Sequence, residues 1–128
     1  MIVLDASVLI AHFYAADAHH ERADQLLVDV ADNELSASPL TLAEVLVGPI
    51  KTGLLDQAQT ALRRLGVRSI GLRDDAHLRL AELRAKTGLR LPDCCVLLAA
   101  EQEGAGLATF DDRLGSVAVD RGVVVWGV

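Results

Sequence analysis

The sequence predicts an α/β fold of three layers, in which a mainly parallel sheet of four to five strands has helices on both faces. Short predicted strands alternate along the chain with longer segments of helical periodicity. The first strand contains the apolar run Ile2-Val3-Leu4, rich in β-branched residues, which is typical of a strand buried on both faces of a parallel sheet. The length of 128 residues fits one domain, residues 1–128.

The first half of the chain contains two predicted strands, each followed by two predicted helices. Pro39 ends the second strand, while Gly48-Pro49 interrupts the next helix and Gly53 ends it. The last helix of this half is amphipathic and closes at Gly66. The strands lie at 2–5 and 34–38, and the helices lie at 7–14, 19–30, 42–47 and 54–65.

The second half contains three predicted strands and two consecutive predicted helices. Gly88 closes the first of these helices, and Pro92 opens the second. Two consecutive helices cannot both run antiparallel to the strands, so we expect one of them to lie across the sheet. The strands lie at 67–72, 107–109 and 122–126, the helices at 74–86 and 92–103, and a turn or short helix at 111–114.

The composition favours a core of Val, Leu and Ala, since hydrophobic residues make up 52% of the chain and aromatic residues only 3%. So few aromatic side chains argue against a protein that reads single-stranded RNA by stacking its bases. No apolar segment is long enough to cross a membrane and no signal peptide is recognisable, so we expect a cytoplasmic protein without membrane contact. The adjacent Cys94 and Cys95 fit buried thiols rather than a disulfide or a zinc site.

The formal net charge is −6, from 18 acidic and 12 basic residues. This balance is unusual for a nucleic-acid enzyme, but four acids engaged with metal would leave 14 acids against 12 bases. Eight of the bases fall between residues 63 and 90. Two interpretations of this basic segment stay open, namely a surface that contacts phosphates and a set of solvated helix faces.

Four acidic residues are predicted to meet at one edge of the sheet. Asp5 and Asp111 each follow a predicted strand, and Glu44 lies near the start of the helix after the second strand. Asp93 lies in the first turn of the helix that leads into the fourth strand. Helices next to a parallel strand begin at the carboxyl edge of the sheet, where open α/β sheets bind ligands. Ser7 is close enough in sequence to Asp5 to assist at the same site.

Each acid also has a purely structural interpretation, which the residues alone leave open. Asp5 and Asp111 stand where helix caps stand, Thr41-Leu-Ala-Glu44 matches a capping box, and Asp93 places a negative charge at a helix N-terminus. Four carboxylates in one crevice, however, repel one another unless cations bind, and their oxygen atoms favour Mg²⁺ or Mn²⁺. Such a site suits metal-assisted hydrolysis of a phosphodiester.

Four segments, in this order and spacing, make nearly the whole chain resemble a PIN domain, and more narrowly a toxin ribonuclease of the VapC type. In one respect the chain departs from the family, because Cys94-Cys95 follows the third acid where a small residue is common. The four segments are Ile2-Val-Leu-Asp5-Ala-Ser7, Leu40-Thr-Leu-Ala-Glu44-Val45, Gly88-Leu-Arg-Leu-Pro-Asp93, and Leu107-Ala-Thr109-Phe-Asp111-Asp112-Arg113-Leu114.

The resemblance implies a function as well as a fold. One or two Mg²⁺ or Mn²⁺ ions would activate water to hydrolyse RNA, which leaves 5′-phosphate and 3′-hydroxyl ends. Family members are usually homodimers that a cognate antitoxin holds inactive, so we expect RNA, an antitoxin and a second copy as partners. The catalytic and metal-binding residues implied are Asp5, Glu44, Asp93 and Asp111.

Further residues are expected to support these four acids. Ser7 and Thr109 would be polar helpers beside the metal, and Arg90 and Arg113 are our candidates for RNA-phosphate contacts. Asp112 stands beside Asp111 and leaves the fourth acid ambiguous, although the spacing from Thr109 favours Asp111. The RNA that is cleaved, and the position of cleavage, do not follow from the sequence.

Three other classes of protein compete with this interpretation. Asp5-Ala-Ser7 resembles part of the metal-dependent adhesion site of von Willebrand A domains, a binding module, but Leu9 stands at its second serine position. A phosphate-receiving regulator needs an early acid pair and a late lysine, and the only lysines are Lys51 and Lys86. A catalytically inactive PIN-like domain that binds RNA is the third alternative.

Overall fold

The computed structural model describes all 128 residues and contains five strands and seven helices. Every strand pair is parallel, which confirms the predicted α/β fold with helices on both faces of the sheet. The strands are β1 (Ile2–Leu4), β2 (Leu35–Ala37), β3 (Arg68–Ser69), β4 (Gly106–Ala108) and β5 (Val125–Trp126). The helices are α1 (Ala6–Phe13), α2 (His20–Asp29), α3 (Pro39–Thr52), α4 (Leu55–Leu65), α5 (Ala76–Thr87), α6 (Leu91–Glu103) and α7 (Asp112–Asp120).

Strand β1 lies at the centre of the sheet, whose order is β3-β2-β1-β4-β5. Its side chains alternate between two core clusters, since Ile2 and Leu4 pack with α1 and α2, whereas Val3 packs with α6 and α7. All three side chains are buried, and full burial of such a side chain contributes about 1.5–3 kcal/mol. The apolar run at the start of the chain therefore joins both halves of the core.

Helices come in pairs in three of the four connections between strands. In the pair before β4, α5 packs mainly against α6, whereas α6 packs directly on β1 and β4. The helix outside the sheet layer is thus α5, and α6 begins at the carboxyl edge of the sheet. This arrangement places the start of α6, with Asp93, at the edge that the sequence predicted.

Helix α3 is longer than the predicted helix at 42–47, because it begins at Pro39 and continues through Gly48-Pro49. Its cap is Ser38, whose Oγ accepts a hydrogen bond from the Thr41 amide over 3.2 Å. Proline in the first turn costs no hydrogen bond, so Pro39 starts this helix rather than only ending the strand. Gly48 allows close packing, since a Cβ at this position would collide with the Tyr14 hydroxyl.

Three further predicted bounds were wrong. The strands predicted at 67–72 and 122–126 contain only two residues each, because β3 and β5 are edge strands with one neighbour apiece. The turn or short helix predicted at 111–114 is the beginning of the longer helix α7, whose Leu114 and Ala118 pack into the core at helical spacing. Cys94 and Cys95 are free and buried, as predicted, and no helix has the length and hydrophobicity needed to cross a membrane.

Candidate active site

The site is built where the sheet changes its winding direction. Strand β1 pairs with β2 on one side and with β4 on the other, and the crevice at the carboxyl ends of two such strands is where α/β sheets bind ligands. Asp5 follows β1 and Thr109 follows β4. The Asp5 amide donates a hydrogen bond to the Ala108 carbonyl over 2.9 Å, so the two strand ends are joined directly.

Asp5 is a buried carboxylate, with 8% of its surface exposed. Its Oδ2 accepts hydrogen bonds from Ser7 Oγ and Thr109 Oγ1, each over 2.7 Å. Its Oδ1 accepts none, and Ser36 Oγ is the only fully buried side-chain oxygen or nitrogen without a partner, so Asp5 Oδ1 is in contact with solvent. Asp5 occupies the N-cap position of α1 without a capping side-chain hydrogen bond, which excludes the cap interpretation.

The hydroxyl groups of Ser7 and Thr109 tie the Asp5 carboxylate to the loop after β4. Besides donating to Asp5, Ser7 Oγ accepts a hydrogen bond from the Phe110 amide over 3.1 Å, and Thr109 Oγ1 accepts one from the Asp111 amide over 2.9 Å. Thr109 is fully buried. Both predicted helper residues therefore contact Asp5, and they fix its orientation.

Glu44 and Asp93 face the same space as Asp5. Desolvation raises the pKa of Glu44 above its ordinary value, and the charges of Asp5 and Asp93 raise it further. Burial is also the largest cause that raises the pKa of Asp93, and the charges of Asp5 and Asp111 raise it further. The positive charge of Arg90 offsets part of the rise in the pKa of Glu44 and of Asp93. Asp5, Glu44 and Asp93 thus act on one another electrostatically, and Asp111 acts on Asp93. The capping-box interpretation of Glu44 is excluded, because α3 begins at Pro39.

The last of the four acids also caps a helix. Asp111 Oδ1 accepts a hydrogen bond from the Leu114 amide over 3.0 Å, while its second oxygen accepts none from the chain. Asp112 is exposed, and Asp111 is the residue of this pair whose charge raises the pKa of Asp93. The geometry therefore brings Asp111, rather than Asp112, to the other acids.

Two arginines border the acids. Arg90 Nε lies 3.8 Å from Asp93 Oδ2, and its side chain is 77% exposed. Arg113 lowers the pKa of Asp93 and donates a hydrogen bond to the Thr87 carbonyl over 3.2 Å. Both guanidinium groups predicted to contact RNA phosphates are hence placed beside the acids.

The basic segment at 63–90 does not form one surface. Arg84 donates hydrogen bonds to the Gly88 and Leu89 carbonyls next to the start of α6, whereas Arg73 donates to the Gln102 carbonyl near the end of α6. Helix α6 has 13 residues and is therefore about 20 Å long. Only the bases at the start of α6 lie near the acids.

Helix N-termini contribute to the electrostatics of this edge. Helices α1, α3, α6 and α7 all begin there, and their partial positive charges favour carboxylates. The four acids offer only carboxylate oxygens, which suit Mg²⁺ or Mn²⁺. No three His, Cys, Asp or Glu side chains lie close enough together to hold one ion, so the acids border an open space rather than a closed coordination shell.

Two side chains beside the site were not singled out from the sequence. Phe110 follows Thr109, and the Arg22 guanidinium of α2 lies 4.8 Å above the centre of its ring. Phe110 belongs to a predicted motif segment, but no sequence pattern signals the contact with Arg22. The structure argues against the adhesion-site alternative, because Leu9, at the second serine position of that motif, is fully buried in the core and cannot bind a metal at the surface.

A sequence model of the PIN domain matches residues 2–120. The chain belongs to the PIN domain family. This membership confirms the predicted family and accounts for the order of the four acid segments along the chain. A search of curated proteins finds no match.

Several solved structures share the fold. A toxin–antitoxin complex from Klebsiella pneumoniae is 23% identical, with 87% of each chain covered and a TM-score of 0.71. VapC20 from Mycobacterium tuberculosis, a toxin that cleaves the sarcin-ricin loop, is 20% identical over 91% of this chain and 95% of that chain, with a TM-score of 0.74. FitAcB from Neisseria gonorrhoeae is 23% identical over 98% and 96%, with a TM-score of 0.76.

Proposed function

We propose that this PIN-domain protein is a Mg²⁺- or Mn²⁺-dependent endoribonuclease, the toxin of a VapC-type toxin–antitoxin pair that acts on RNA in the cytoplasm. The observation that carries the proposal is the state of Asp5, a buried carboxylate with one oxygen oriented by two hydroxyl groups and the other in contact with solvent and without a partner in the chain. A buried charge in such a position is costly unless a cation or another partner compensates it. The charge of Asp5 raises the pKa of both Glu44 and Asp93, and the charge of Asp111 raises the pKa of Asp93, which supports a shared site.

Each residue has a distinct role in this proposal. Asp5, Glu44, Asp93 and Asp111 would hold the divalent ion, which supplies charge neutralisation and activation of water for phosphodiester hydrolysis. Ser7 and Thr109 keep the Asp5 carboxylate in one orientation, and Asp112 adds negative potential at the rim. Arg90 and Arg113 bind phosphate oxygens of the RNA and keep the backbone against the acids.

Partners of this chain are part of the same proposal. Helix α3 carries an exposed apolar stripe, and contiguous exposed apolar surface is typical of protein interfaces. We assign this stripe to contacts with a cognate antitoxin, by analogy with the similar toxin–antitoxin complex, or with a second copy in the homodimer that the family resemblance implies. The stripe and the residue that continues it consist of Leu40, Val47, Ile50 and Leu54, which are 41%, 49%, 60% and 50% exposed.

The proposal is tested first by thermal melting of the purified chain in EDTA and then in Mn²⁺ or Mg²⁺. A ligand that binds only the folded state stabilises it by about 2.7 kcal/mol at a hundredfold excess over its dissociation constant. We expect metal to raise the melting temperature of the wild type clearly and that of Asp93→Asn far less. Asp56→Asn is the matched control, since Asp56 also lies in the first turn of a helix but away from the acids.

A cleavage assay on total RNA follows, because metal binding alone does not distinguish a nuclease from a binding module. We expect products with 5′-phosphate ends in Mn²⁺ and none in EDTA or with Asp93→Asn. Metal-dependent stabilisation with RNA binding but no cleavage would instead support an inactive RNA-binding PIN domain. Absence of any metal effect, with full activity of Asp93→Asn, would overturn the site assignment.

A further inference from the structure

A cavity opens beside the candidate active site, between α2 and the carboxyl ends of β4 and β5. Its volume is about 240 Å³, room for several water molecules, each of which takes about 30 Å³ in the liquid. The chain has four Phe, Trp and Tyr residues, and two of them line this cavity. The lining residues are Arg22, Gln25, Leu26, Asp29, Phe110, Trp126 and Gly127.

The aromatic rings of this cavity are held firmly in place. A Cβ on Gly106 would collide with the Trp126 indole, so the six-membered ring of the indole lies against the backbone of β4. The Arg22 guanidinium lies 4.8 Å from the centre of the Phe110 ring, and the His19 imidazole lies 5.1 Å from it between ring centres; Arg22 and His19 also contact each other over 3.1 Å. Arg22 in turn donates a hydrogen bond to the Gly127 carbonyl. These contacts pre-organise a flat, apolar wall.

The polar side chains of the cavity indicate which kind of ligand it can bind. Arg22 brings one positive charge and Asp29 one negative charge, so the lining has no excess of positive charge to attract a phosphate. Gln25 Nε2 donates a hydrogen bond to Asp29 Oδ1 over 2.8 Å, and this pair provides both a donor and an acceptor. A neutral planar ring with hydrogen-bonding edges, such as a nucleobase, matches aromatic walls with such a polar pair.

The cavity is linked directly to the acids through Phe110. The Phe110 amide donates a hydrogen bond to Ser7 Oγ, which donates to Asp5 Oδ2. Phe110 also stands between Thr109 and Asp111, which both belong to the site. A nucleotide whose phosphate lies against the acids therefore has this cavity as the neighbouring recess for its base.

We propose that the cavity lined by Phe110, Trp126 and Gln25 binds the base of the nucleotide that flanks the scissile phosphate, and so selects the RNA position that is cut. This inference rests on the proposed nuclease function. It also revises the expectation from composition, since the few aromatic residues are concentrated where one base, rather than a run of bases, is bound.

The test uses the intrinsic fluorescence of Trp126, the only tryptophan of the chain. Short single-stranded RNA homopolymers of A, C, G and U are titrated into the protein in EDTA, so that metal-dependent cleavage does not occur. An abasic ribose-phosphate polymer of equal length is the control for backbone binding. We expect saturable quenching with at least one homopolymer, and none with the abasic polymer.

Phe110→Leu removes the aromatic ring but retains an apolar side chain. We expect it to weaken the binding of the homopolymer that quenches the fluorescence by about fivefold or more. This is the lower end of the range for the loss of one base–aromatic stack. Phe13→Leu, which removes the other phenylalanine at the end of α1, should leave the affinity unchanged. Gln25→Leu on the exposed face of α2 gives a second test if Phe110→Leu melts at a lower temperature.

The outcomes separate this inference from the proposed function. Quenching that is equal for the abasic polymer, or unchanged in folded Phe110→Leu and Gln25→Leu, would overturn the base-binding cavity. Metal-dependent cleavage with an unchanged KM in both variants would do the same, while leaving the nuclease function intact. Base-dependent quenching without cleavage of any RNA in Mn²⁺ would support base binding in the cavity, but it would overturn the nuclease function and with it the role of the cavity in selecting the position that is cut.

Discussion

Thr109 Oγ1 donates a hydrogen bond to Asp5 Oδ2 over 2.7 Å, although 104 positions separate the two residues in sequence. The same oxygen accepts the Asp111 amide over 2.9 Å, so one buried hydroxyl connects the acids that follow β1 and β4. A threonine directly after a strand thereby orients the Asp5 carboxylate and holds the backbone of Asp111. This connection makes Thr109 the most informative residue for testing how the site is held together.

Thr109→Val replaces the hydroxyl with a methyl group and keeps the shape of the side chain. Asp5 then loses one of two hydrogen bonds, and hydrogen bonds to charged groups contribute about 1.5–3 kcal/mol each. We expect the free energy of unfolding in urea, without metal, to fall by about 2 kcal/mol. Stabilisation by Mn²⁺ should also be smaller, because the Asp5 carboxylate is no longer held in one orientation.

Thr60→Val is the matched control for this substitution. Thr60 Oγ1 accepts only an exposed hydrogen bond from Arg63 over 3.2 Å. Substitutions at such surface positions usually change stability by less than about 0.5 kcal/mol. Equal stability of Thr109→Val and Thr60→Val would show that the buried hydroxyl does not stabilise the Asp5 carboxylate.

Protonation of the acids predicts how stability depends on pH. Because the pKa values of Glu44 and Asp93 are raised by folding, the folded state binds protons more tightly than the unfolded state. In EDTA their contribution to the free energy of unfolding is therefore most favourable below about pH 4, the unfolded pKa, and declines as pH rises through the raised folded values. Metal should remove this decline, since it compensates the ionised carboxylates.

Asp93→Asn tests this pH dependence directly. The substitution removes one carboxyl group whose pKa is raised by folding, and with it one repelling charge. In EDTA the decline in stability above about pH 4 should therefore be smaller than in the wild type. Urea denaturation between acidic and neutral pH measures it. The control is Asp56→Asn, which loses a comparable helix-dipole interaction of about 0.3–1 kcal/mol without any effect on the four acids. An identical pH profile for both variants would contradict repulsion at the site.

The sequence predicted the centre of the sheet and the four acids because their signals are local. An apolar run followed by an acid, as at Leu4 and Asp5, identifies the end of a buried strand without knowledge of the rest of the fold. The convergence of Glu44 and Asp93 then follows from the rule that helices begin at the carboxyl edge of a parallel sheet.

Other features depended on contacts that no local pattern reveals. Gly48-Pro49 usually ends a helix, but here α3 continues to Thr52, and Gly48 accommodates the Tyr14 hydroxyl of a distant segment. Similarly, the contact of Arg22 with Phe110 joins the second helix to the loop after β4. Such contacts depend on how elements pack, which periodicity does not encode.

The choice of the fourth acid leads to a prediction about neighbouring residues. Asp111→Asn keeps a side-chain oxygen that accepts a helix-capping bond, so it should change the free energy of unfolding by less than about 0.5 kcal/mol. It should nevertheless abolish most metal stabilisation and cleavage, because one carboxylate is lost. Asp111→Ala removes the cap as well and should cost about 1 kcal/mol more.

Asp112→Asn is the comparison for Asp111→Asn. Asp112 is exposed at the first position of α7 and caps nothing, so we expect nearly normal metal stabilisation and cleavage. Thermal melting with and without Mn²⁺, followed by the RNA assay, measures both effects. The reverse result, with loss in Asp112→Asn and normal behaviour in Asp111→Asn, would reassign the fourth acid.

Arg84 is predicted to hold the loop that precedes Asp93. Its Nη1 donates hydrogen bonds to the Gly88 carbonyl over 3.0 Å and to the Leu89 carbonyl over 2.9 Å. Arg84→Gln removes both bonds near the solvent, so the free energy of unfolding should fall by only about 1 kcal/mol. The larger effect should appear in RNA binding, because the loop positions Arg90 for phosphate contact.

A rise in KM without a comparable fall in kcat would identify this positioning role of Arg84. The matched control is Arg79→Gln on the same helix, since Arg79 lies 3.9 Å from Asp75 in an exposed pair of little energetic weight. Its KM should equal that of the wild type. If both arginine variants raised KM equally, the effect would reflect the general positive charge of α5, and the anchoring of the loop by Arg84 would not matter for RNA.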